Sequence, residues 1–258
     1  MIGIGPWAGR KYFLDKMTVG DLVKAYFTHY TILAYLLVTG LGAWLAVAWS
    51  DSALATLLAA AAVVPVYPPV EYLLHRYVLH GKYLYKSPLT AKLWKRIHYD
   101  HHQDPNDLGV LFGALHTTMP VILAVALPLG WLIGGGAGAA AAVASACLVT
   151  AVYEFFHSIH HLPFQPRWAW LRQLKKLHLA HHFHSEQGNY GITSSVCDRL
   201  FGTFYPQPKE MARSETVRNL GYTEAEAERY PWVAALSPDL PPGHPKGPRR
   251  SGGQLAAE

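Results

Sequence analysis

Three long stretches of the chain contain no charged side chain. They run over residues 25–50, 52–70 and 108–153, and alanine, leucine, valine and aromatic residues dominate them. A helix needs roughly 20 mostly apolar residues to cross a lipid bilayer. The first two stretches therefore predict one membrane span each. The third is much longer and contains the sequence GGGAG at 134–138, so it predicts two spans separated by a turn.

This pattern predicts an all-α integral membrane protein with four transmembrane helices in two hairpins. The alternative is a pair of hairpins buried in a soluble core, which such long charge-free runs disfavour. The predicted spans lie at about residues 28–49, 52–74, 109–132 and 135–156. The predicted domains are an N-terminal cytoplasmic segment (1–24), one membrane-embedded domain (25–235) capped by 75–108 and 157–205, and a disordered tail (236–258) rich in proline, glycine and charge.

Basic residues all lie on one side of this predicted topology. Two hairpins place both termini, the loop at 71–108 and everything after residue 154 on the same side of the bilayer, and all 22 lysines and arginines lie there. An excess of positive charge marks the cytoplasmic side. The first 24 residues lack the apolar core of a removable signal peptide. We therefore expect a multi-pass membrane protein whose polar face is cytoplasmic.

Composition narrows the possible partners and compartments. Only 15% of the residues are charged, and the formal net charge is +5. Because the basic residues alternate with long apolar runs, lipid phosphates are a better partner than nucleic acid, and no nucleic-acid binding is expected. The segment at 167–178 mixes tryptophan with arginine and lysine, which is typical of an interfacial helix, although ordinary flanking charge explains it as well. Two cysteines, Cys147 and Cys197, are too few for a disulfide framework.

Most of the histidines fall in four short clusters next to the predicted spans. Three clusters have the spacing H-x-x-H-H, which places the rings on one helical face, so each triplet could point at a single centre. The two histidines of the remaining cluster are five apart, about 140° on an ideal helix, and meet only where that helix loosens, as near Gly81. Because zinc usually takes about four ligands, this many imidazoles indicate two metal ions. The candidate ligands are His75, His80, His98, His101, His102, His157, His160, His161, His178, His181 and His182.

The four clusters and the residues around them resemble the fatty acid hydroxylase and sterol desaturase superfamily of integral-membrane di-iron enzymes. The resemblance covers about residues 70–205. Within the superfamily, the four-residue gap between His75 and His80 is similar to the fatty acid 2-hydroxylase branch, and His160 departs from that branch's third cluster. The matching segments are EYLLHRYVLH at 71–80, HYDHHQDPNDLGVLF at 98–112, YEFFHSIHH at 153–161 and LKKLHLAHHFHSEQGNYGITSSVCDRLFGT at 174–203.

This resemblance implies an enzyme that holds two Fe ions, uses O2 as co-substrate and hydroxylates the acyl chain of a membrane lipid. The lipid would be a fatty acid or sphingolipid, with the hydroxyl placed next to the carbonyl. Zinc could replace iron during purification, because zinc stands high in the affinity order. No segment resembles a fused cytochrome b5 domain. The resemblance therefore implies an external electron donor, either a cytochrome b5-like protein or a ferredoxin with its reductase.

Some acidic and aromatic residues are candidates to contact the ligand histidines on the side away from the metal. Metal-bound histidines usually donate their other N–H to an oxygen. Glu71 lies one turn before the first cluster and Glu154 three residues before the third, while Tyr153 belongs to the matched third segment. For each glutamate, interfacial charge at a helix end is an equally good explanation. Weaker candidates, which turn formation or helix capping explains as well, are Asp104, Asp107 and Asp198; His184 continues the last cluster and could also lie behind the ligands.

Other functions remain open at this point. Within the superfamily, sterol or carotenoid oxidation and desaturation use similar clusters. A metal transporter or metal sensor is a non-enzymatic alternative, but transport needs ligands along the spans, where only His116 and, marginally, His29 lie. We interpret His29 and His244 as ordinary structural or surface histidines. For His116 a functional role is the alternative to a hydrogen bond within the helical bundle, which we favour.

Overall fold

The computed structural model describes residues 11–237, and no β-strand is found in that part of the chain. One isolated bridge joins Phe13 to Asp107. The helices, in chain order, are α1 (Val19–Tyr26), α2 (Tyr30–Ala48), α3 (Ala53–Leu73), α4 (Pro88–Trp94), α5 (Asp100–Gln103), α6 (Leu108–Leu111), α7 (Leu115–His161), α8 (Ala169–Phe183), α9 (Val196–Leu200), α10 (Glu224–Arg229) and α11 (Trp232–Ala235). The all-helical fold class predicted from the sequence is confirmed. The first 24 residues and the predicted tail lie partly outside the described residues, as does His244.

Three helical segments are long and apolar enough to cross a membrane. They are Tyr30–Ala48, Ala53–Lys86 and Leu108–His161, and α2 and α3 both pack along α7. Their outward faces carry large exposed apolar side chains, such as Leu37 and Leu132. A water-soluble protein rarely exposes a large continuous apolar surface, whereas hydrocarbon chains cover it at no cost. These helices therefore make the chain a membrane protein.

The long helix α7 is interrupted where the sequence predicts a turn. Gly134 and Gly135 have non-helical backbone angles, and Gly135 has φ of +57°, in the left-handed region that favours glycine. The chain turns back there, since a Cβ on Gly130 would lie 2.2 Å from the carbonyl oxygen of Gly138. The two halves of α7 thus pack backbone to backbone. The second half continues to His161. The third histidine cluster therefore lies within α7 itself, and the helix extends beyond the predicted end of the span at residue 156.

The turn between α2 and α3 lies at the same end of the molecule as the bend in α7. Residues 49–56 and 134–137 line one common pocket. The Ser52 side chain begins α3 by accepting a hydrogen bond from the backbone N–H of Ala55. Two histidine clusters lie at the opposite ends of α3 and α7, and the other two converge with them there. The apolar helices therefore separate a histidine-rich end from a turn-rich end.

Two π-helical segments follow directly on regular helices. They are Leu74–Leu79, which continues α3, and Lys95–Tyr99, which continues α4. In the first, the N–H of His80 donates to the carbonyl of His75 at 3.0 Å, a bond spanning five residues. This pattern brings residues five apart onto one face. The helix therefore loosens between the two histidines, just before Gly81.

The remaining helices form a cap around the histidine end. A cluster of buried aromatic side chains joins its two halves, with Tyr85, Trp94 and Tyr99 on one side and Leu220 and Tyr222 on the other. Cys147 and Cys197 are both buried and free. The cap is thus held by packing, and it brings residues after 210 next to the segment before 103.

Candidate metal centre

Ten of the eleven predicted ligands converge on two points. Within each group, one side-chain nitrogen from every histidine lies within 4.8 Å of all the others. Nine of the ten rings are buried, and His80 is half-buried. Group one consists of His75, His80, His98, His102 and His181, and group two consists of His101, His157, His161, His178 and His182.

The expectation that each H-x-x-H-H triplet serves a single centre is wrong. In the second cluster, His98 and His102 belong to group one and His101 to group two; in the last cluster, His178 and His182 belong to group two, and His181 to group one. On a helix, residue i+4 is displaced by about 40° from residue i, whereas i+3 lies about 60° away on the other side. The rings at i and i+4 therefore face one group, and the ring at i+3 faces the other group, which lies beside it.

The third cluster follows the same rule but leaves one ring out. His157 and His161, at i and i+4, belong to group two. His160, at i+3, lies outside both groups, and its Nε2 is hydrogen-bonded at 3.0 Å to the carbonyl of Ile192. His160 is thus the one predicted ligand that the structure does not bring to either point.

Burial keeps the cap histidines uncharged. Removal from water holds the pKa of His98, His102 and His182 well below the usual range, and neighbouring imidazoles lower the pKa further. Burial lowers the pKa of His181 to about 4. A neutral imidazole keeps one nitrogen lone pair, which is the form that binds a metal.

Backbone carbonyls fix which nitrogen carries the proton in three rings of group one. The Nδ1–H of His75 donates to Tyr190 at 2.5 Å, that of His102 to Val217 at 2.9 Å and that of His181 to Gly188 at 2.8 Å. A carbonyl oxygen only accepts, so the Nε2 lone pair of each ring is left for the group. The buried Nε2 atoms of His102 and His181 have no hydrogen-bond partner among the described residues.

The remaining nitrogens also fit a bound cation. Pairs of Nε2 atoms face each other at 2.8 Å (His80 and His98), 3.1 Å (His101 and His157) and 2.9 Å (His161 and His178). Ligands that share one ion bring their donor atoms together in this way. Because every donor is an imidazole nitrogen, the set suits iron, zinc, copper or nickel rather than magnesium or calcium.

One loop, residues 188–193, orients rings from three helical segments. The carbonyls of Gly188, Tyr190 and Ile192 accept from His181, His75 and His160, respectively. Asn189, with φ of +54°, pairs with the backbone of Tyr205 through both ends of its amide. Every second carbonyl of this short loop therefore accepts a hydrogen bond from a histidine ring.

Two buried carboxylates hold that loop in place. Glu71 accepts from the N–H of Ile192 at 2.5 Å and from the hydroxyl of Thr193 at 2.6 Å. Asp198 accepts from the N–H groups of Tyr190 and Gly191, both at 2.8 Å. These two carboxylates thus bond the loop backbone and Thr193, and the loop in turn bonds the histidines. For Glu71 this differs from both a direct bond to a histidine and simple interfacial charge, the two possibilities considered from the sequence.

The other predicted supporting residues make different contacts, and among them the ring of Tyr153 lies beside a group histidine. Glu154 is buried and accepts from the N–H of Gly113 at 2.9 Å. The ring of Tyr153 lies 5.8 Å from that of His157. His184 bonds the carbonyl of Met211 at 2.8 Å. Asp107 caps α6 by accepting from Gly109, as the capping interpretation allows.

Two other histidines have no place in the groups. His116 is exposed on α7. His29 is buried beside the ring of Phe112, with their centroids 4.6 Å apart. Neither lies in either metal group, but the exposed position of His116 does not match the hydrogen bond within the bundle expected from the sequence.

Sequence reasoning missed the contributions of Asn189 and Val217. The Asn-Tyr-Gly sequence at 189–191 is a detectable signal, because asparagine and glycine tolerate backbone angles that other residues avoid. Val217 contributes only its carbonyl, so its residue type carries no signal.

Apolar helices that end in two groups of five converging imidazoles define a membrane metalloprotein. The sequence model of the family described as "Fatty acid hydroxylase" matches residues 59–203. That segment is more than half of the chain, and the chain belongs to this family.

Several characterised relatives share the same segment. Dihydroceramide fatty acyl 2-hydroxylase FAH2 of Arabidopsis thaliana is 32% identical over 140 residues, covering 52% of this chain and 55% of the relative. Ceramide very long chain fatty acid hydroxylase SCS7 of Saccharomyces cerevisiae is 31% identical over 147 residues, covering 54% and 36%. Human fatty acid 2-hydroxylase is 26% identical over 148 residues, covering 54% and 37%. The match thus spans about half or less of each relative's length.

A solved structure has the same fold. It is described as full-length scs7p with only the hydroxylase domain visible. The two chains superpose with a TM-score of 0.60 at 28% sequence identity, over 73% of this chain and 69% of the other.

The loop geometry predicts that Asp198→Asn weakens metal binding. The NH2 group of the new amide would face the backbone N–H of Tyr190 or Gly191. That backbone N–H would lose its acceptor, which costs about 1–3 kcal/mol. We expect metal affinity to fall roughly 10–100-fold, as for other changes behind metal ligands. Chelator titration followed by elemental analysis measures this. Asp51→Asn, at an exposed turn, is the matched control and should behave like wild type; equal affinities for all three proteins would contradict the prediction.

Proposed function

We propose that this protein is an O2-dependent di-iron hydroxylase that acts on the acyl chain of a membrane lipid, at the carbon next to the carbonyl. The observation that carries the proposal is the pair of adjacent five-imidazole groups at the ends of apolar helices. Family membership supports the reaction class. The printed names of the relatives, fatty acyl 2-hydroxylases among them, support the acyl chain and the position.

Each histidine group would hold one iron. Iron supplies the O2 chemistry that breaks an unactivated C–H bond, which no amino-acid side chain can do. One oxygen atom enters the new C–OH group and the other leaves as water, so each turnover consumes two electrons and two protons. We propose that an external donor protein provides the electrons.

The chain's own residues position the ligands and keep bulk water out. The rings of nine candidate ligands are buried, and the carbonyls of Tyr190 and Gly188 orient His75 and His181. Hydrogen bonds of this kind hold ligand side chains in the orientation that coordination requires.

Half-buried tyrosines mark the route by which an acyl chain would arrive. The rings of Tyr67 on α3 and Tyr153 on α7 lie 5.8 Å apart, and Tyr153 is 5.8 Å from His157 of group two. Both tyrosines lie on helices whose outer faces are apolar. We propose that the lipid chain enters between α3 and α7 and reaches the centre without leaving the membrane.

We also propose four spans, with both termini and the histidine end in the cytoplasm. The bend at Gly134 and Gly135 supports two spans within α7, and the shared pocket of the two turns supports a common far side. All lysines and arginines lie away from those turns, as the positive-inside rule requires.

Cysteine labelling tests this topology. Asp51→Cys and Gly136→Cys should react with a membrane-impermeant maleimide applied to intact cells, because both lie at the far turns. Leu89→Cys, on the exposed face of α4, should react only after the cells are opened. The native cysteines are buried and give a low background. Labelling of Leu89→Cys in intact cells would show that the cap is not cytoplasmic.

The two groups predict separable metal losses. Wild type should hold about two metal ions per chain, whereas His98→Ala (group one) and His182→Ala (group two) should each hold about one. Hydroxylation should fall at least 10–100-fold in both, since a lost ligand costs no less than a change behind one. Elemental analysis of anaerobically purified protein gives the counts. His116→Ala, an exposed histidine of α7, is the control; at most one tightly bound ion in wild type would refute the dinuclear centre.

Isotope labelling tests the reaction itself. With iron, a reducing system and 18-O2, the membrane lipids of expressing cells should gain labelled 2-hydroxy acyl chains, measured by mass spectrometry. Label in sterols or carotenoids, with unmodified acyl chains, would assign the protein to another reaction of the superfamily. Unlabelled lipids from a metal-replete protein with a working donor would contradict the enzymatic proposal.

A further inference from the structure

A segment beyond the family match folds over the metal centre. The match ends at residue 203, and residues 211–222, called the strap here, return to the histidine end. Met211 accepts from the ring of His184 at 2.8 Å, and the N–H of Ser214 donates to the His184 carbonyl at 2.9 Å. Further along, Val217 accepts the Nδ1–H of His102 at 2.9 Å. The strap therefore supplies the carbonyl that accepts the Nδ1–H of His102, a member of group one.

A buried side chain, Gln103, and a half-buried one, Arg218, fasten the strap to the ligand-bearing helices. The amide of Gln103 donates to the carbonyl of Arg218 at 2.8 Å, and the guanidinium of Arg218 donates to the carbonyl of His102 at 3.3 Å. The same guanidinium lies over the ring of Phe183, 4.7 Å from its centroid. Gln103 and Arg218 thus connect the segment that carries His102 to Phe183, the last residue of α8.

The rest of the strap is anchored away from the ligands. Leu220 and Tyr222 are buried in the aromatic cluster with Tyr85 and Trp94. The hydroxyl of Thr216 donates to Glu186 at 2.6 Å. These contacts do not involve Gln103 or Arg218, so we expect the segment to stay attached when either side chain is changed.

The strap touches the two groups unequally. In group one it holds the proton-bearing nitrogen of His102 and leaves the buried Nε2 for the metal. No hydrogen bond found among the described residues joins a ring of group two to the strap. A displaced strap would leave His102 free to rotate while group two keeps its geometry.

We propose that Gln103 and Arg218 are positioning residues that fix the strap carbonyl behind His102 and thereby set the metal affinity of group one alone. This inference rests on the proposed two-metal centre. It assigns a role to a segment that follows the part of the chain matched by the family.

The test compares Gln103→Met with Gln173→Met, which makes the same chemical change on the exposed face of α8. Each change is placed in the His182→Ala chain, which retains only group one, and in the His98→Ala chain, which retains only group two. Chelator titration with elemental analysis then measures the affinity of the single remaining ion. Gln103→Met should lower it roughly 10–100-fold in the first background and leave it unchanged in the second; Gln173→Met should be silent in both.

Arg218→Lys provides a second, independent variant: it removes the guanidinium that donates to His102 but keeps the positive charge, which also acts on His161 of group two, and it should reproduce the selective loss. Thermal unfolding of the metal-stripped proteins separates positioning from general destabilisation, since positioning leaves the unfolding temperature close to that of Gln173→Met. Equal losses in both backgrounds, no loss in either, or failure of both variants to fold would overturn the inference. The proposed function fails separately, through the metal count and lipid labelling of wild type; a wild-type chain with fewer than two ions would overturn both.

Discussion

Each metal-facing imidazole must stay uncharged and must turn one particular nitrogen toward its group. Burial meets the first condition, because the cost of a buried charge keeps rings such as His98 and His182 neutral. Carbonyl acceptors meet the second condition for His75, His102 and His181. Both conditions demand ordered backbone close to the rings, and the cap is the part of the fold that supplies it.

The loop at 188–193 makes this order cooperative. Glu71, at the end of an apolar helix, binds the loop backbone, and the loop in turn orients His181 on α8 and His75 just beyond Glu71 itself. A change at Glu71 therefore reaches α8 through a short chain of buried hydrogen bonds. Buried polar networks of this kind are costly when one member is lost, because the remaining groups are left unpaired.

Much of this organisation could be predicted from the sequence, but some parts carry no sequence signal. Charge-free runs predicted α2 and α3, the GGGAG sequence predicted the bend in α7, and the histidine clusters predicted a convergence that the structure shows for ten rings but not for His160. The number of imidazoles also predicted two metal ions, but only the structure shows that the two groups lie side by side, so that His101 and His181 join a different group from the other rings of their clusters. The carbonyls of Gly188 and Val217 could not be predicted, because every residue has one.

The crossing of ligands between groups has a consequence for rigidity. The segment at 98–102 and helix α8 each contribute rings to both groups. The distance between the two groups therefore depends on the geometry within these two segments, where successive residues of a helix rise by about 1.5 Å. A shift of α3 or α7 would displace His75 or His157 without changing the placement of His101 relative to His102, which are neighbours on one short helix. The pair of centres is thus built on the cap, while the apolar helices deliver only part of each ligand set and, we propose, the lipid.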